Sequence, residues 1–277
     1  MKRLFSITIL CFLFAAPAAA VLGNDEIVAA KTQPAPTTPA APMAPVATST
    51  PAAATNATVK QSNGSFKSET KEISFELFEP VAPGKYPGVV MLYGAGEMTV
   101  GGPLFRVTAE ALARAGYVVY LPHYFEKTGT QRATRDDDVK YFATWMRTVT
   151  DTIGYAKSKT NVDAKRIGLI GFSLGAYLSL SVASINNEVK AVVEYFGGLP
   201  AFFGNQLQTM PPTLILHGDA DRTVPVTEAY NLETVLKSKK LPYEIKIYPQ
   251  QGHGFNGAAA ADAMQRTVVF FDKNLKR

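Results

Sequence analysis

The sequence predicts an α/β protein whose mostly parallel, twisted sheet is covered by helices on both faces. The first observation is alternation, since short apolar runs are separated by longer runs with helical periodicity, as in βαβ units. The second is a glycine-flanked serine between one such strand and the helix after it, in Gly171-Phe172-Ser173-Leu174-Gly175. The third is size, because residues 66–277 comprise about 210 residues, enough for one domain with a continuous core.

Seven segments have the length and the apolar, branched composition of buried strands. In chain order they are Glu72–Leu77, Gly88–Leu92, Tyr117–Leu121, Arg166–Gly171, Val189–Tyr195, Thr213–Leu216 and Tyr243–Tyr248. Strands that alternate with helices are expected to run parallel, and the chemistry of such sheets gathers at the carboxyl ends of the strands.

The clearest predicted helix is Arg135–Lys157. Its apolar side chains recur three or four residues apart, at Val139, Phe142, Met146, Val149 and Ile153. Three aspartates at 136–138 suit the positive end of the helix dipole. Shorter helices are expected directly after Ser173 and over Thr227–Lys237, and helix-like runs separate most of the other strands.

Two N-terminal segments are set apart from the folded domain. Residues 1–20 are predicted to be a cleaved signal peptide, with Lys2-Arg3 before an apolar run and Ala18-Ala19-Ala20 as the cleavage signal. The apolar run, Leu4–Ala16, is shorter than the ~20 residues that a membrane-spanning helix needs, and an uncleaved anchor is the alternative interpretation. Residues 21–65, rich in Ala, Pro and Thr, are predicted to be a disordered linker. The protein is therefore expected in the periplasm or outside the cell, without stable membrane insertion after cleavage.

The cysteine and charge content narrow the possible chemistry. The one cysteine, Cys11, lies inside the predicted signal peptide, so the mature chain has neither a disulfide nor a thiol nucleophile. Loss of residues 1–20 lowers the net charge from +5 to +3, and the remaining basic residues are scattered, so no nucleic-acid partner is expected. No cluster has metal-ligand spacing, and no metal or other cofactor is expected.

The Gly-x-Ser-x-Gly spacing at Ser173 indicates a catalytic nucleophile. A serine on a sharp strand-to-helix turn has a strained backbone, and glycines two residues either side allow the close chain reversal. The helix N-terminus directs free backbone N–H groups at negative charge that forms near the hydroxyl. A plain glycine-containing βα turn is the alternative interpretation of these five residues.

A nucleophilic serine needs a base, and only three histidines are available. In hydrolases of this architecture the chain order is Ser, then Asp or Glu, then His. His123 precedes the serine, and His217 ends a strand-like run. His253 follows the last predicted strand within Gln251-Gly252-His253-Gly254-Phe255 and is the predicted base.

Two aspartates compete to orient that base. Both occur in the loop after the strand Thr213–Leu216. Asp221 stands four residues before Pro225, in a loop expected to cross the carboxyl edge of the sheet, and it is the preferred candidate. Asp219 lies nearer the strand and equally suits a turn residue that bonds its own backbone.

A glycine-containing loop after the strand Gly88–Leu92 is expected to complete an oxyanion hole. The loop reads Tyr93-Gly94-Ala95-Gly96, and the two donors are assigned to the amides of Ala95 and Leu174. The loop lacks the third glycine of a dinucleotide-binding fingerprint and the Gly-Lys-Ser/Thr ending of a phosphate-binding loop.

Taken together, the early glycine loop, the serine elbow, Asp221-x-x-Val-Pro and Gly252-His253-Gly254-Phe255 resemble the dienelactone hydrolase family of α/β-hydrolases. The resemblance runs from about Lys71 to the end of the chain. It implies the α/β-hydrolase fold and the triad Ser173, Asp221 and His253. The family's namesake has a cysteine nucleophile where this chain has Ser173, and a glutamate where it has Gly94.

The resemblance also directs attention to the loop after Tyr117–Leu121. In the family this region supplies a basic residue that grips a substrate carboxylate, and Lys127 stands closest to that position. The alternative is an exposed lysine paired loosely with Glu126. Tyr124 and Phe125 are expected to line an apolar acyl pocket, so neutral short-chain esters are expected to be favoured over anionic lactones.

The sequence thus predicts a serine hydrolase of small carboxylic esters or lactones, with a small-molecule substrate as its partner. A peptidase or an acyltransferase remains the enzymatic alternative, since fold and triad do not select the acceptor. A non-catalytic binding protein that kept the fold is the alternative of another class.

Overall fold

A computed structural model describes residues 57–276 of the protein. Over that part of the chain the strands are β1 (Val59–Ser68), β2 (Lys71–Pro80), β3 (Tyr86–Leu92), β4 (Val118–Pro122), β5 (Val162–Phe172), β6 (Val189–Tyr195), β7 (Thr213–Gly218) and β8 (Tyr243–Tyr248). The helices are α1 (Glu97–Arg114), α2 (Arg135–Lys157), α3 (Leu174–Ile185), α4 (Ala201–Gln206), α5 (Thr227–Ser238) and α6 (Gly257–Leu275), with a 3-10 helix at Tyr124–Lys127. No helix among these residues is both long and apolar enough to cross a bilayer.

All eight strands form one sheet in the order β1-β2-β4-β3-β5-β6-β7-β8. Strands β3 to β8 are parallel to one another, whereas β2 runs antiparallel to both β1 and β4. The predicted mostly parallel sheet is confirmed. The carboxyl ends of six strands therefore meet at one edge, where their following loops can bring side chains together.

Helices cover both faces of this sheet, as predicted. In β5, a Cβ on Gly168 would lie 2.9 Å from Leu275 of α6, whereas one on Gly171 would meet the start of α3. Because the two glycines are an odd number of positions apart, they face opposite sides of the sheet. Helices α2 and α3 also pack against each other. The core of large buried side chains, including Trp145, lies between sheet and helices.

The folded domain begins earlier than the predicted boundary at residue 66. Strand β1 starts at Val59 and pairs along its whole length with β2, from Val59 opposite Pro80 to Ser68 opposite Lys71. The linker prediction is therefore wrong for residues 59–65. This strand is polar because it lies at the sheet edge, where only Phe66 and Ser68 are buried. The predicted signal peptide and the rest of the predicted linker, up to residue 56, lie outside the described residues.

Candidate active site

Ser173 occupies a strained turn between β5 and α3. Its φ of 53° and ψ of −120° cost a residue with a Cβ about 1–3 kcal/mol, so the surrounding packing must impose them. A Cβ on Gly171 would lie 2.1 Å from the carbonyl oxygen of Gly175, and one on Gly175 would lie 2.3 Å from that of Leu92. Both flanking glycines are therefore sterically required, for the mechanical reason that the sequence spacing indicated.

A continuous hydrogen-bonded chain links the serine to a histidine and a carboxylate. The Nε2 atom of His253 lies 2.9 Å from Oγ of Ser173, and its Nδ1 atom lies 2.7 Å from Oδ2 of Asp221. With the Nδ1 proton donated to the carboxylate, Nε2 is free to accept the serine proton. The three residues follow β5, β7 and β8, so they meet at the carboxyl edge of the sheet.

The backbone holds the second oxygen of Asp221. Oδ1 accepts hydrogen bonds from the N–H groups of Thr223 and Val224, at 2.8 and 2.9 Å. The carboxylate is thus fixed in a buried turn with one oxygen facing His253. Asp219 is exposed, and its Oδ1 accepts the N–H of Gln250 at 2.6 Å. The structure therefore brings Asp221 to the histidine, whereas Asp219 links the loop after β7 to the loop after β8 through its hydrogen bond with Gln250.

His217 lies beneath the same turn and is fully buried. Its Nε2 atom lies 2.9 Å from the carbonyl oxygen of Val224 and 3.5 Å from Oδ2 of Asp221. Burial lowers the pKa of His217, which favours a neutral ring that donates Nε2–H to Val224. A neutral His217 supports the Asp221 loop without adding a charge beneath the carboxylate.

The loop after β3 borders the serine, as an oxyanion hole requires. A Cβ on Gly94 would lie 3.2 Å from Cβ of Ser173 and 3.8 Å from its Oγ, so a larger residue would press on the Ser173 side chain. Ala95 follows in the same loop, and its carbonyl accepts the N–H of Ala133 at 2.9 Å. Leu174 is the first residue of α3, a position whose N–H has no intrahelical acceptor.

The predicted substrate-binding residues lie elsewhere than expected. Tyr124 and Phe125 are at most 1 % exposed, and the Tyr124 hydroxyl donates to the carbonyl oxygen of Tyr93 at 2.9 Å. Phe125 packs against Trp145 with ring centroids 4.7 Å apart. The prediction that these two aromatic residues line an acyl pocket is wrong in this conformation, because the fold uses their large apolar area in its core.

Lys127 is neither exposed nor paired with Glu126. Its ammonium donates to the carbonyl oxygen of Ser68 at 2.5 Å and lies 2.8 Å from the carboxylate of Glu69, with only 7 % of the side chain exposed. Glu126 instead accepts the N–H and the hydroxyl of Ser74. Lys127 is therefore neither a free anion-binding residue nor an exposed lysine paired with Glu126. It binds to the β1–β2 hairpin, whose first strand was not predicted from the sequence.

Two residues of β6 and its following turn complete the site and were not predicted from the sequence. Phe196 has a φ of 43°, unusual for a bulky residue, and its ring lies 4.8 Å from the ring of His253. Glu194 is fully buried and accepts the N–H of Gly197. The one available signal was a glutamate inside the otherwise apolar run Val189–Tyr195.

Comparison with known proteins places this chain in a family. The model of the dienelactone hydrolase family matches residues 73–275. A carboxymethylenebutenolidase homologue of Synechocystis sp. is 28 % identical over 74 % of this chain and 93 % of its own length. Acyl-coenzyme A thioesterase 2 of Mus musculus is 28 % identical over 69 % of this chain, which spans only 43 % of the thioesterase.

A solved structure shows the same fold. The crystal structure of a dienelactone hydrolase homologue from Klebsiella pneumoniae superposes with a TM-score of 0.67, at 20 % identity, over 78 % of this chain and 99 % of that one. The chain belongs to the dienelactone hydrolase family and is a carboxylic ester hydrolase with the α/β-hydrolase fold.

Proposed function

We propose that the protein is a serine hydrolase that cleaves small carboxylic esters or lactones through an acyl-enzyme formed on Ser173. The observation that carries the proposal is the unbroken hydrogen-bonded chain from Ser173 through His253 to Asp221. A base that already contacts the nucleophile and is oriented by a buried carboxylate is the arrangement that activates a serine hydroxyl.

The reaction divides into two displacements. Oγ of Ser173 attacks the ester carbonyl carbon while Nε2 of His253 takes its proton, and the amides of Ala95 and Leu174 stabilise the oxyanion. The C–O bond to the alcohol then breaks, and His253 returns the proton to the leaving oxygen. Water attacks the acyl-enzyme with His253 again as base, and the carboxylic acid and the free serine are released.

Neutral esters suit this site better than anionic lactones. The one basic side chain that the family resemblance pointed to, Lys127, is held by Ser68 and Glu69. Serine in place of the namesake's cysteine and Gly94 in place of its glutamate also separate this chain from the namesake's dienelactone substrate.

The test is a substrate panel combined with covalent labelling. The wild-type protein is expected to hydrolyse neutral aryl esters and to react with a fluorophosphonate at Ser173, whereas Ser173→Ala does neither and keeps its fold. A Ser173→Ala protein that retains most of its esterase activity would exclude the proposed nucleophile. A well-folded wild-type protein that neither labels nor hydrolyses any ester would instead favour the non-catalytic binding protein.

Thioester hydrolysis is the second candidate, because the mouse relative is an acyl-coenzyme A thioesterase. The same nucleophile and oxyanion hole serve a thioester, since only the leaving group changes. Including acyl-coenzyme A, peptide and simple thioester substrates in the panel separates thioesterase and peptidase activity from the proposed esterase activity. Comparable kcat/KM values for thioesters and for matched oxygen esters would make the thioesterase assignment the better one.

We further propose that the protein works in the periplasm or outside the cell, because residues 1–20 have the three parts of a signal peptide. The mature chain is expected to begin near Val21. N-terminal sequencing of protein recovered from the periplasm or the medium of a bacterial host checks this, and a sequence that still contains Lys2-Arg3 would contradict it.

A further inference from the structure

The carboxyl group of Glu194 is buried beside the proposed nucleophile, and only one of its two oxygen atoms accepts a hydrogen bond. Its side chain has no solvent exposure. Oε2 accepts the N–H of Gly197 at 2.8 Å, whereas Oε1 has no hydrogen-bond partner among residues 57–276. A buried, half-satisfied carboxyl opposes folding, so its presence at a catalytic site indicates a functional constraint.

The turn that follows Glu194 contacts two members of the triad. The carbonyl oxygen of Tyr195 accepts the N–H of Ser173 at 2.9 Å. The ring of Phe196 lies 4.8 Å from that of His253, and its backbone has the positive φ noted above. A shift of residues 195–197 would therefore move both the nucleophile and the base.

Gly197 is where this turn packs against the nucleophile. A Cβ there would lie 2.4 Å from Cβ of Ala176, 3.1 Å from the carbonyl oxygen of Ser173 and 3.3 Å from Oε2 of Glu194. The backbone, the serine carbonyl and the carboxyl oxygen thus share one tightly filled space. The bond from Gly197 N–H to Glu194 is the side-chain contact that holds the end of the turn, and the bond from Phe196 N–H to the carbonyl oxygen of Leu216, at 2.8 Å, holds its start.

We propose, on the basis of the function proposed above, that Glu194 is a positioning residue that holds the 195–197 turn through Gly197 and thereby sets the geometry of Ser173 and His253. The carboxyl does not touch the substrate. It acts by keeping a strained turn in the one conformation in which nucleophile and base meet, and a displacement of about 1 Å can cost on the order of a hundredfold in rate.

The groups around Glu194 are expected to make the conformation of this turn, and hence the activity, depend on pH. Burial raises its pKa to about 8, the bond from Gly197 opposes the rise, and Glu228 on α5 adds to it. Tyr177 on α3 interacts electrostatically with Glu194, Glu228 and Asp221. His217 lies on β7, two residues after Ile215, the register partner of Glu194. The register partners of Glu194 in β5 and β7 are Gly171 and Ile215, which do not titrate.

Ionisation of Glu194 above about pH 8 would therefore place an uncompensated charge in the interior, near the carboxyl group of Glu228. The turn is expected to open to hydrate that charge, and activity is expected to fall with it. Glutamine keeps an acceptor for Gly197 but cannot ionise, whereas leucine has a similar size and provides no acceptor. The two substitutions separate the hydrogen bond from the bulk of the side chain.

The experiment measures the rate of Ser173 phosphonylation by a fluorophosphonate and the kcat and KM for a neutral aryl ester, from pH 6 to 10. Glu194→Leu is expected to lower the labelling rate and kcat tenfold to a hundredfold with little change in KM. Glu194→Gln is expected to restore both rates to within about threefold, and to lack the decline above about pH 8 that the wild type shows.

Tyr117→Phe is the matched control, because it removes a buried hydrogen bond, to Asp272, at the opposite edge of the sheet. It is expected to lower Tm without changing the labelling rate. Equal labelling of wild type and Glu194→Leu overturns the inference alone, whereas a wild type that does not label overturns the proposed function as well. If Glu194→Leu does not fold, a Glu194→Gln profile that retains the alkaline decline overturns the inference.

Discussion

The N–H of Ser173 donates a hydrogen bond to the carbonyl oxygen of Tyr195 across 2.9 Å. This bond joins the turn of the proposed nucleophile to the neighbouring strand at the point where Ser173 has a φ of 53°. A strained residue persists only where its surroundings over-determine it. Here the close packing at Gly171 and Gly175 and this one interstrand bond supply that constraint.

The carboxylate that orients the base can be identified by comparing two aspartates of one loop. Asp221→Asn is expected to lower kcat by several orders of magnitude, because a neutral amide neither fixes the tautomer of His253 nor stabilises the positive charge that its ring gains during the reaction. His253→Ala should have a similar effect, and the double variant should lose little more, since the triad acts as a unit.

Asp219→Asn is the matched control for these kinetics, since it alters only the bond to the N–H of Gln250. Its kcat is expected to stay within about tenfold of wild type. A larger loss of kcat for Asp219→Asn than for Asp221→Asn, measured on the same neutral ester, would contradict the assignment.

Replacement of Gly94 by alanine is expected to lower kcat. In Gly94→Ala the new methyl group would lie 3.2 Å from Cβ of Ser173 and 3.3 Å from the carbonyl oxygen of Phe172, so the loop must move by a few tenths of an ångström. Because Ala95 moves with it, kcat should fall about tenfold or more. Gly154→Ala, with no atom within 4 Å of the new methyl group, should leave kcat unchanged and slightly stabilise α2. Equal kcat values for both variants would exclude the loop from the site.

Lys127 is expected to contribute to stability rather than to substrate recognition. Lys127→Ala removes the hydrogen bond to the carbonyl oxygen of Ser68 and the ion pair with Glu69, and should cost about 1–2 kcal/mol in the free energy of unfolding. Lys60→Ala, which breaks a pair at a lysine that is 62 % exposed, should cost little. Denaturant titration measures both. A strong preference for carboxylate-bearing substrates that Lys127→Ala abolishes would restore the anion-binding role.

The stability of the protein should depend on pH through Glu194. The pKa of its carboxyl is raised by burial from an ordinary 4.5 to about 8. Between these values the folded chain binds a proton that the unfolded chain has released, so unfolding free energy falls as pH rises through this window. Glu194→Gln removes this loss. Its Tm should therefore exceed that of the wild type at pH 8, and the difference should shrink as pH falls towards 4.5. A constant difference in Tm across this range would contradict the raised pKa.

Local patterns were sufficient for much of the fold and for the central residues of the site. The predicted bounds of α2 coincide with the observed Arg135–Lys157, because its apolar spacing and the capping box of Thr134 and Asp137 are local. All seven predicted strands occur. Those in the centre of the parallel sheet, such as β3, β4 and β7, are nearly continuously apolar because both of their faces are buried. The proximity of Ser173, Asp221 and His253 could be predicted because each follows a parallel strand, and the carboxyl ends of those strands meet at one edge of the sheet.

The tertiary structure decided what depends on partners distant in the chain. Strand β1 is too polar to be recognised alone, because an edge strand buries little and gains its hydrogen bonds from β2. That hairpin in turn binds the ammonium group of Lys127, and Tyr124 and Phe125 are buried in the core. The sequence determined which residues could do chemistry and which strands would carry them. Only packing between distant segments determined where each side chain points, since direction depends on which neighbour offers a bond or a cavity.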